Sequence, residues 1–355
     1  MLTLTLALVT GAVAARATDE PSPIRGATMG TYYAIHLGSR AAVTRAVGDC
    51  TGRVLARIDA LLSTWRSDSE IARFNASRSV DWVAVSPATA AVVAEAIATS
   101  ELTGGAFDPT IGAVLAAWGL GPYAGSVSTP PTAAATADLR ARVGHRRLRA
   151  RARPSALRKT VPDLQVDLSA MAKGLAVDAL AATLERAGIG DYLIDIGGEM
   201  RARGERPGGG PWRIGLERPD GAGATIARAV AVTAGALATS GTYRRRYPLL
   251  ARTVPDIVDP RTAAPVEHAL RVVSVLDASA TRADALATAL LVLGPTDGPE
   301  LARRLGVAAL LGTGGAHPAE IATPAFTAAT AAAVDLPAPA VAAVRTLLET
   351  VDCAD

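Results

Sequence analysis

Four short stretches are too polar, or too rich in glycine, for ordinary core packing. Asp284-Ala285-Leu286-Ala287-Thr288 lies in a segment of helical periodicity, so positions 284 and 288 face the same way and present a carboxylate and a hydroxyl together. Hard oxygen ligands of this kind suit magnesium, with water and a substrate phosphate filling the remaining positions. A solvated Asp beside a Thr bonded back to its own helix gives the same pattern. Asp167-Leu168-Ser169-Ala170-Met171-Ala172-Lys173 puts an acid where a strand should end and a cation in the first turns of a helix, where free N–H groups also favour phosphate. Asp178 follows Lys173 by about one and a half helical turns. An N-cap with a surface ion pair accounts for that spacing as well. Gly104-Gly105-Ala106-Phe107-Asp108-Pro109-Thr110 sets an aromatic ring beside an Asp, which suits a flat heterocycle or a structural Asx-turn. In Met29-Gly30-Thr31 the glycine admits either a ligand close to the backbone or a plain turn.

The elements that must position these residues alternate between the two periodicities. Thr31 to Leu37 has strand composition, and Arg40 to Leu62 carries Val43, Val47, Val54, Ile58 and Leu61 at helical spacing. Ser86-Pro87 is an N-cap followed by a first-turn proline, and the helix it opens ends at Gly104-Gly105. Leu164 to Leu168 reads as a strand, Met171 to Ala187 as a helix stopped by Gly188, and Tyr192 to Ile196 as a buried strand entering Gly197-Gly198. Trp212 to Leu216, Ala229 to Thr233 and Leu270 to Leu276 are further strands, and Thr281 to Leu293 is a helix closed by Gly294-Pro295. Strands follow strands with helices at the flanks, which predicts an α+β fold of mixed, largely antiparallel sheets.

The 355-residue chain is half hydrophobic but only 4% aromatic, so an aliphatic core is expected. Residues 1–22 read as a signal peptide and leader, with the apolar run Leu2 to Ala15 followed by small-residue cleavage sites. The expected destination is the periplasm or another extracytoplasmic space, and no Cys follows the run to carry a lipid. Residues 23–323 read as one domain with a variable insertion at about 123–162, and 324–355 as an Ala/Pro-rich extension packed on the outside with a helix from Val341 to Val351. The dense basic stretch Arg140 to Lys159 lacks aromatics that could stack on bases; it reads as a solvated irregular segment, and nucleic acid is not a partner. Cys50 and Cys353 lack metal-ligand spacing, and whether they pair is left open.

Taken in order, the stretches resemble the FAD:protein FMN transferases, the ApbE family. The resemblance runs from Met29 to about Gly312 through Met29-Gly30-Thr31, Ser63-Thr64-Trp65, Asp68-Ser69-Glu70-Ile71 with Asn75, Phe107-Asp108-Pro109-Thr110 and Trp118-Gly119. It continues through the Asp167 to Asp178 block, Ile196-Gly197-Gly198-Glu199, Thr239-Ser240-Gly241, Asp259-Pro260-Arg261-Thr262 and Ala283 to Thr288. It implies an ApbE-like, T-fold-related architecture and FAD held by Met29, Trp65, Ala106, Phe107, Asp108, Asp167, Lys173 and Val258. It also implies magnesium at Ala170 and Ala287 through backbone oxygen and at Asp284 and Thr288 through side chains. Trp65 stands where relatives commonly have Tyr, and Asp256 where they usually have His.

The implied reaction is attack of a Thr or Ser hydroxyl of an acceptor flavoprotein on the FMN-side phosphorus of FAD, with AMP leaving. The acceptor would be a flavin-bearing subunit of a redox complex, membrane-associated in some cases. Lys173 would stabilise the leaving charge, and Asp167 or Asp178 would orient or deprotonate the hydroxyl. Asp256 enters the same set at the position of the missing His. Two other readings are a magnesium-dependent FAD pyrophosphatase, with water as acceptor, and a non-catalytic flavin-binding protein. Intact Asp284 and Thr288 argue against the second.

Overall fold

The computed structural model describes residues 22–38, 45–217, 226–243, 246–249, 252–315, 318–337 and 341–353. Apart from its last residue, the leader read at 1–22 lies outside them. The helices are α1 (Arg45–Leu62), α2 (Glu70–Ala76), α3 (Pro87–Leu102), α4 (Gly112–Ala117), α5 (Ala133–Arg142), α6 (Ser169–Arg186), α7 (Ala280–Arg304), α8 (Pro324–Thr330) and α9 (Ala342–Leu348). The first strands are β1 (Ile24–Thr28), β2 (Thr31–Leu37), β3 (Val83–Ala84), β4 (Leu148–Ala152), β5 (Ser155–Lys159), β6 (Tyr192–Ile196), β7 (Glu199–Arg203) and β8 (Trp212–Glu217). They are followed by β9 (Ile226–Gly241), β10 (Arg246–Leu249), β11 (Arg252–Pro255), β12 (Val258–Asp259), β13 (Ala264–Pro265), β14 (Leu270–Asp277), β15 (Ala308–Thr313), β16 (Glu320–Ala322) and β17 (Val334–Asp335).

A ten-stranded sheet ordered β1-β2-β6-β7-β9-β14-β15-β16 forms the frame, with β8 and β17 joined to β9. Every pairing in it is antiparallel except β17 with β9, so the expected α+β class with antiparallel sheet is what the chain adopts. Strand alternation sorts the core onto two faces. Val273 and Val275 of β14 face Leu286, Leu290 and Leu291 of α7, while Leu276 joins Trp212, Val232 and Phe326 on the other side. A larger aliphatic core lies among α1, α3, α6, β2 and β6, where Val47, Val54, Ile58 and Leu61 of the predicted α1 stripe are buried as their spacing predicts; Val43, its first member, lies outside the described residues.

Ser86 caps α3 by accepting the Thr89 N–H, with Pro87 in the first turn. Helix α7 breaks at Gly294, whose φ of 78° ends the first segment where Gly294-Pro295 predicts it.

Three expectations are corrected. Leu164 to Leu168 is not a strand: its backbone is held by the Asn75 side chain, which donates to Val166 O and accepts from Val166 N, and by the Asp167 N–H on Pro109 O. Residues 123–162 are not irregular; they supply α5 and the β4–β5 hairpin, which pairs with β3 in a three-stranded sheet. The C-terminal stretch is not an outer appendage. Ala343, Val344, Leu347 and Leu348 of α9 are buried in the main core, β17 extends the large sheet, and Cys353 is disulfide-bonded to Cys50 of α1.

Candidate active site

Two tight hairpin turns lie side by side at the cavity. Thr28 pairs with Thr31 across Met29-Gly30, at φ of 47° and 70°, and Ile196 pairs with Glu199 across Gly197-Gly198, at φ of 60° and 101°. Positive φ at both central residues is the type I′ requirement that glycine meets without strain. A Cβ on Gly197 would stand 2.8 Å from the Thr31 side chain, so the two turns pack only because that atom is missing.

Helix α6 crosses α7 next to these turns. Gly174 makes the crossing close: a Cβ there would meet Ala280 O at 2.2 Å. The approach lets the Gly174 N–H donate to Asp284 Oδ2 at 3.1 Å, a bond from one helix to a carboxylate of the other. Lys173 Nζ stands 3.6 Å from the same Asp284 oxygen and 3.4 Å from Glu199 Oε1. Both carboxylates are buried. Burial pushes the Asp284 carboxyl above the usual carboxylate range, opposed by Lys173 and the Gly174 N–H. One turn along α7, Thr288 Oγ1 is 3.0 Å from Ser240 Oγ of β9.

These groups form one side of a cavity of about 640 Å³. Of the residues read from the sequence, Met29, Trp65, Ala106, Phe107, Asp108, Asp167, Ala170, Lys173, Asp256, Val258, Asp284 and Thr288 line it. Trp65, 64% exposed, is at its rim, whereas Ala106 and Phe107 are buried in its wall. Asp167 accepts from the Ser169 N–H and hydroxyl through one oxygen and from Thr64 Oγ1 through the other. Trp118 Nε1 donates to Ala263 O, fixing the β12–β13 turn that carries Val258 and the Asp259–Arg261 ion pair.

Two predicted residues are placed elsewhere. Asp178 does not line the cavity and is no acid–base candidate. It accepts the backbone N–H groups of Ala280 and Thr281, the hydroxyls of Ser279 and Thr281, and Arg201 Nη1 at 2.5 Å. It is therefore the anion that caps the start of α7 from a neighbouring helix. Ala287 is fully buried in α7 and does not line the cavity. Asp108 lines the wall, but its carboxylate is used structurally: Oδ1 accepts from the Thr110 N–H and hydroxyl, and Oδ2 from the His145 N–H.

Sequence reasoning gave no role to Glu199, Ser240, Glu217 and Tyr247, which also line the cavity. Its place in the Ile196-Gly197-Gly198-Glu199 stretch, an acid directly after a glycine turn, is the sequence signal for Glu199.

A divalent cation fits the donor set near Asp284. Among the described residues no group of three or more His, Cys, Asp or Glu gathers to hold a metal. The cavity instead offers one carboxylate, the Thr288 hydroxyl and the Ala170 backbone, a set that suits magnesium sharing its shell with water and substrate phosphate.

The family model described as the ApbE family matches residues 29–311. The FAD:protein FMN transferase of Salmonella typhimurium is 34% identical over 312 residues, covering 86% of this chain and 89% of that protein. The Escherichia coli protein of the same name is 35% identical over 294 residues, covering 81% and 83%. Among solved structures, the flavin transferase ApbE from Vibrio cholerae superposes with a TM-score of 0.78 at 35% identity, covering 86% of this chain and 98% of that one. The apo flavinyl transferase ApbE of Pseudomonas stutzeri gives 0.79 at 34% identity, covering 88% and 98%.

Proposed function

The chain belongs to the ApbE family, and on that premise we propose that it transfers the FMN half of FAD to a Thr or Ser hydroxyl of an acceptor flavoprotein, with magnesium required. The observation that carries this reading is the Lys173 ammonium standing between buried Asp284 and Glu199 in a cavity with an aromatic rim. A pyrophosphate needs cationic charge where it breaks, and the flavin and adenine rings need flat apolar walls.

In the reaction the acceptor hydroxyl oxygen bonds to the FMN-side phosphorus, the bond from that phosphorus to the bridging oxygen breaks, and AMP departs with the electron pair. Lys173 donates to the phosphate oxygens that gain charge. Asp167, held in place by Thr64 and Ser169, orients the attacking hydroxyl and takes its proton. Asp284, Thr288 and the Ala170 carbonyl would hold magnesium, which supplies charge neutralisation of the pyrophosphate. Trp65 and Phe107 supply surface for the rings, and Asp256 lines the same cavity.

The acceptor is a flavin-carrying subunit, in some cases of a membrane redox complex, that presents its hydroxyl at the open rim beside Trp65. Export to an oxidising, extracytoplasmic compartment fits the leader read at 1–22 and the Cys50–Cys353 disulfide. Intact-mass measurement after incubation with FAD, magnesium and a candidate acceptor subunit tests the reading. The expected result is a covalent FMN on the acceptor and equimolar AMP, both lost in Asp284→Ala. AMP released at the same rate without any acceptor, and no mass gain, would replace it with the pyrophosphatase reading.

A further inference from the structure

The segment from the end of α5 through the β4–β5 hairpin carries a charge out of proportion to the chain. Between Leu139 and Pro162 there are eight Arg and one Lys and no acidic residue, whereas the whole chain has a formal charge of only +3. The rest of the molecule is therefore net acidic. The β4–β5 hairpin shows where the charge goes. Leu148, Leu157 and Lys159 are buried on its inner side, and the alternate positions Arg149 and Arg158 are exposed. Arg149 and Arg158 are direct cross-strand partners. Like charges placed opposite each other destabilise a ladder, so this pairing is held at a cost to the sheet.

Apolar groups are exposed among these cations. Trp82, immediately before β3, is 37% exposed and Val80 is 40% exposed. The Arg151 guanidinium lies 4.5 Å from the centre of the Trp82 ring, and Arg158 Nε donates to Val80 O. The cavity of the candidate active site is lined by none of these five residues.

We propose that this face, the outer side of the β3-β5-β4 sheet with the adjoining Arg146, docks the protein on the surface of an anionic phospholipid bilayer. A bilayer surface is a broad array of phosphates, matched by guanidinium forks spread over an open sheet. Tryptophan and a small aliphatic group beside arginine suit the headgroup layer. An acidic protein partner would instead be held by anchors filling pockets, and here the Trp82 ring is already covered on one side by Arg151. The proposal goes beyond FMN transfer and stands whether or not that reading holds.

Co-sedimentation of the full chain with phosphatidylcholine vesicles, with and without phosphatidylglycerol, tests it. The expected result is binding only where phosphatidylglycerol is present, lost at about 1 M salt, where the Debye length shrinks to about 3 Å. Each arginine near such a surface contributes roughly a fivefold gain in partitioning. Arg146→Glu with Arg149→Glu is thus expected to weaken binding at least about twentyfold without lowering the thermal midpoint, since it replaces a like-charged cross-strand pair by an opposite-charged one, and with flavin transfer in solution unchanged. Wild-type binding equal on neutral vesicles, or binding insensitive to both salt and the charge reversals, overturns the proposal. So does binding to soluble polyglutamate with none to the phosphatidylglycerol vesicles, which would assign the face to an acidic protein.

Discussion

Gly174→Ala adds one methyl group at the crossing on which the candidate metal site depends. Its Cβ would be 2.2 Å from Ala280 O, 2.6 Å from Ala280 C and 2.8 Å from Thr281 Cα, all backbone atoms of α7. Backbone cannot rotate out of the way, so the two helices must part by roughly 1 Å in a close-packed interior. Overpacking of this sort costs about 1–3 kcal/mol, and the better helix propensity of Ala returns up to about 1 kcal/mol. For a domain of this size each kcal/mol moves the midpoint by about 2–4 °C, so a fall of several degrees is expected. The same displacement stretches the 3.1 Å bond from the Gly174 N–H to Asp284 Oδ2. A hydrogen bond to a charged group contributes about 1.5–3 kcal/mol, and losing part of it should weaken magnesium binding about tenfold. Thermal unfolding by circular dichroism and calorimetric titration with magnesium read the two effects separately. Gly52→Ala in α1, where nothing lies within 4 Å of the added carbon, is the control and should be neutral or gain about 0.4–1 kcal/mol. A Gly174→Ala protein with the wild-type midpoint and wild-type magnesium affinity would show that α6 and α7 do not cross this closely, and the account of Asp284 would fall with it.

Asp178→Ala should lower stability by about 3–5 kcal/mol in chemical denaturation, because it strands the buried Arg201 guanidinium and the first N–H groups of α7. FAD affinity of the folded protein should be unchanged; a selective loss of transfer at full stability would restore a catalytic role. Asp256→His should preserve or raise transfer and bind FAD more tightly than wild type in metal-free titrations, since an imidazole replaces a carboxylate in the cavity wall. Coincident metal-free affinities would mean that position 256 points away from the pyrophosphate. Cys50→Ser removes a cross-link between residues 303 positions apart, for which loop entropy predicts a loss of up to about 5 kcal/mol, read as a lower denaturation midpoint. An unchanged midpoint would show that α9 is held by its apolar contacts alone.

Local signals carried most of the architecture. Ser86-Pro87, Gly294-Pro295 and the α1 stripe each act within one helix turn or two, so their elements could be read without knowing what packs against them. Leu164 to Leu168 misled for the opposite reason: strand-like composition was met not by a neighbouring strand but by one Asn side chain about ninety residues earlier. The buried Lys159 ammonium, which donates to Phe74 O, Asn75 O and Leu164 O, adds a second long-range clamp on the same segment and was likewise invisible from composition. Asp167 and Asp178 looked alike along the chain. Only the arrival of α7, about a hundred residues later, separates them into a cavity carboxylate and a helix cap.

The charge arrangement also explains why Glu199, which the sequence places in a glycine-turn motif without a role, belongs with the site. The Lys173 ammonium stands between two buried carboxylates, and the Gly174 N–H that also reaches Asp284 is a neutral donor. Two buried carboxylates at the cavity favour a divalent cation over a bare pyrophosphate. A cation held by Asp284, as proposed above, would repel the Lys173 ammonium, and Glu199, at 3.4 Å, would be the counter-charge that keeps it at the cavity. On the proposed reading, Glu199 would let the same lysine face Asp284 before a cation binds and the leaving phosphate after it.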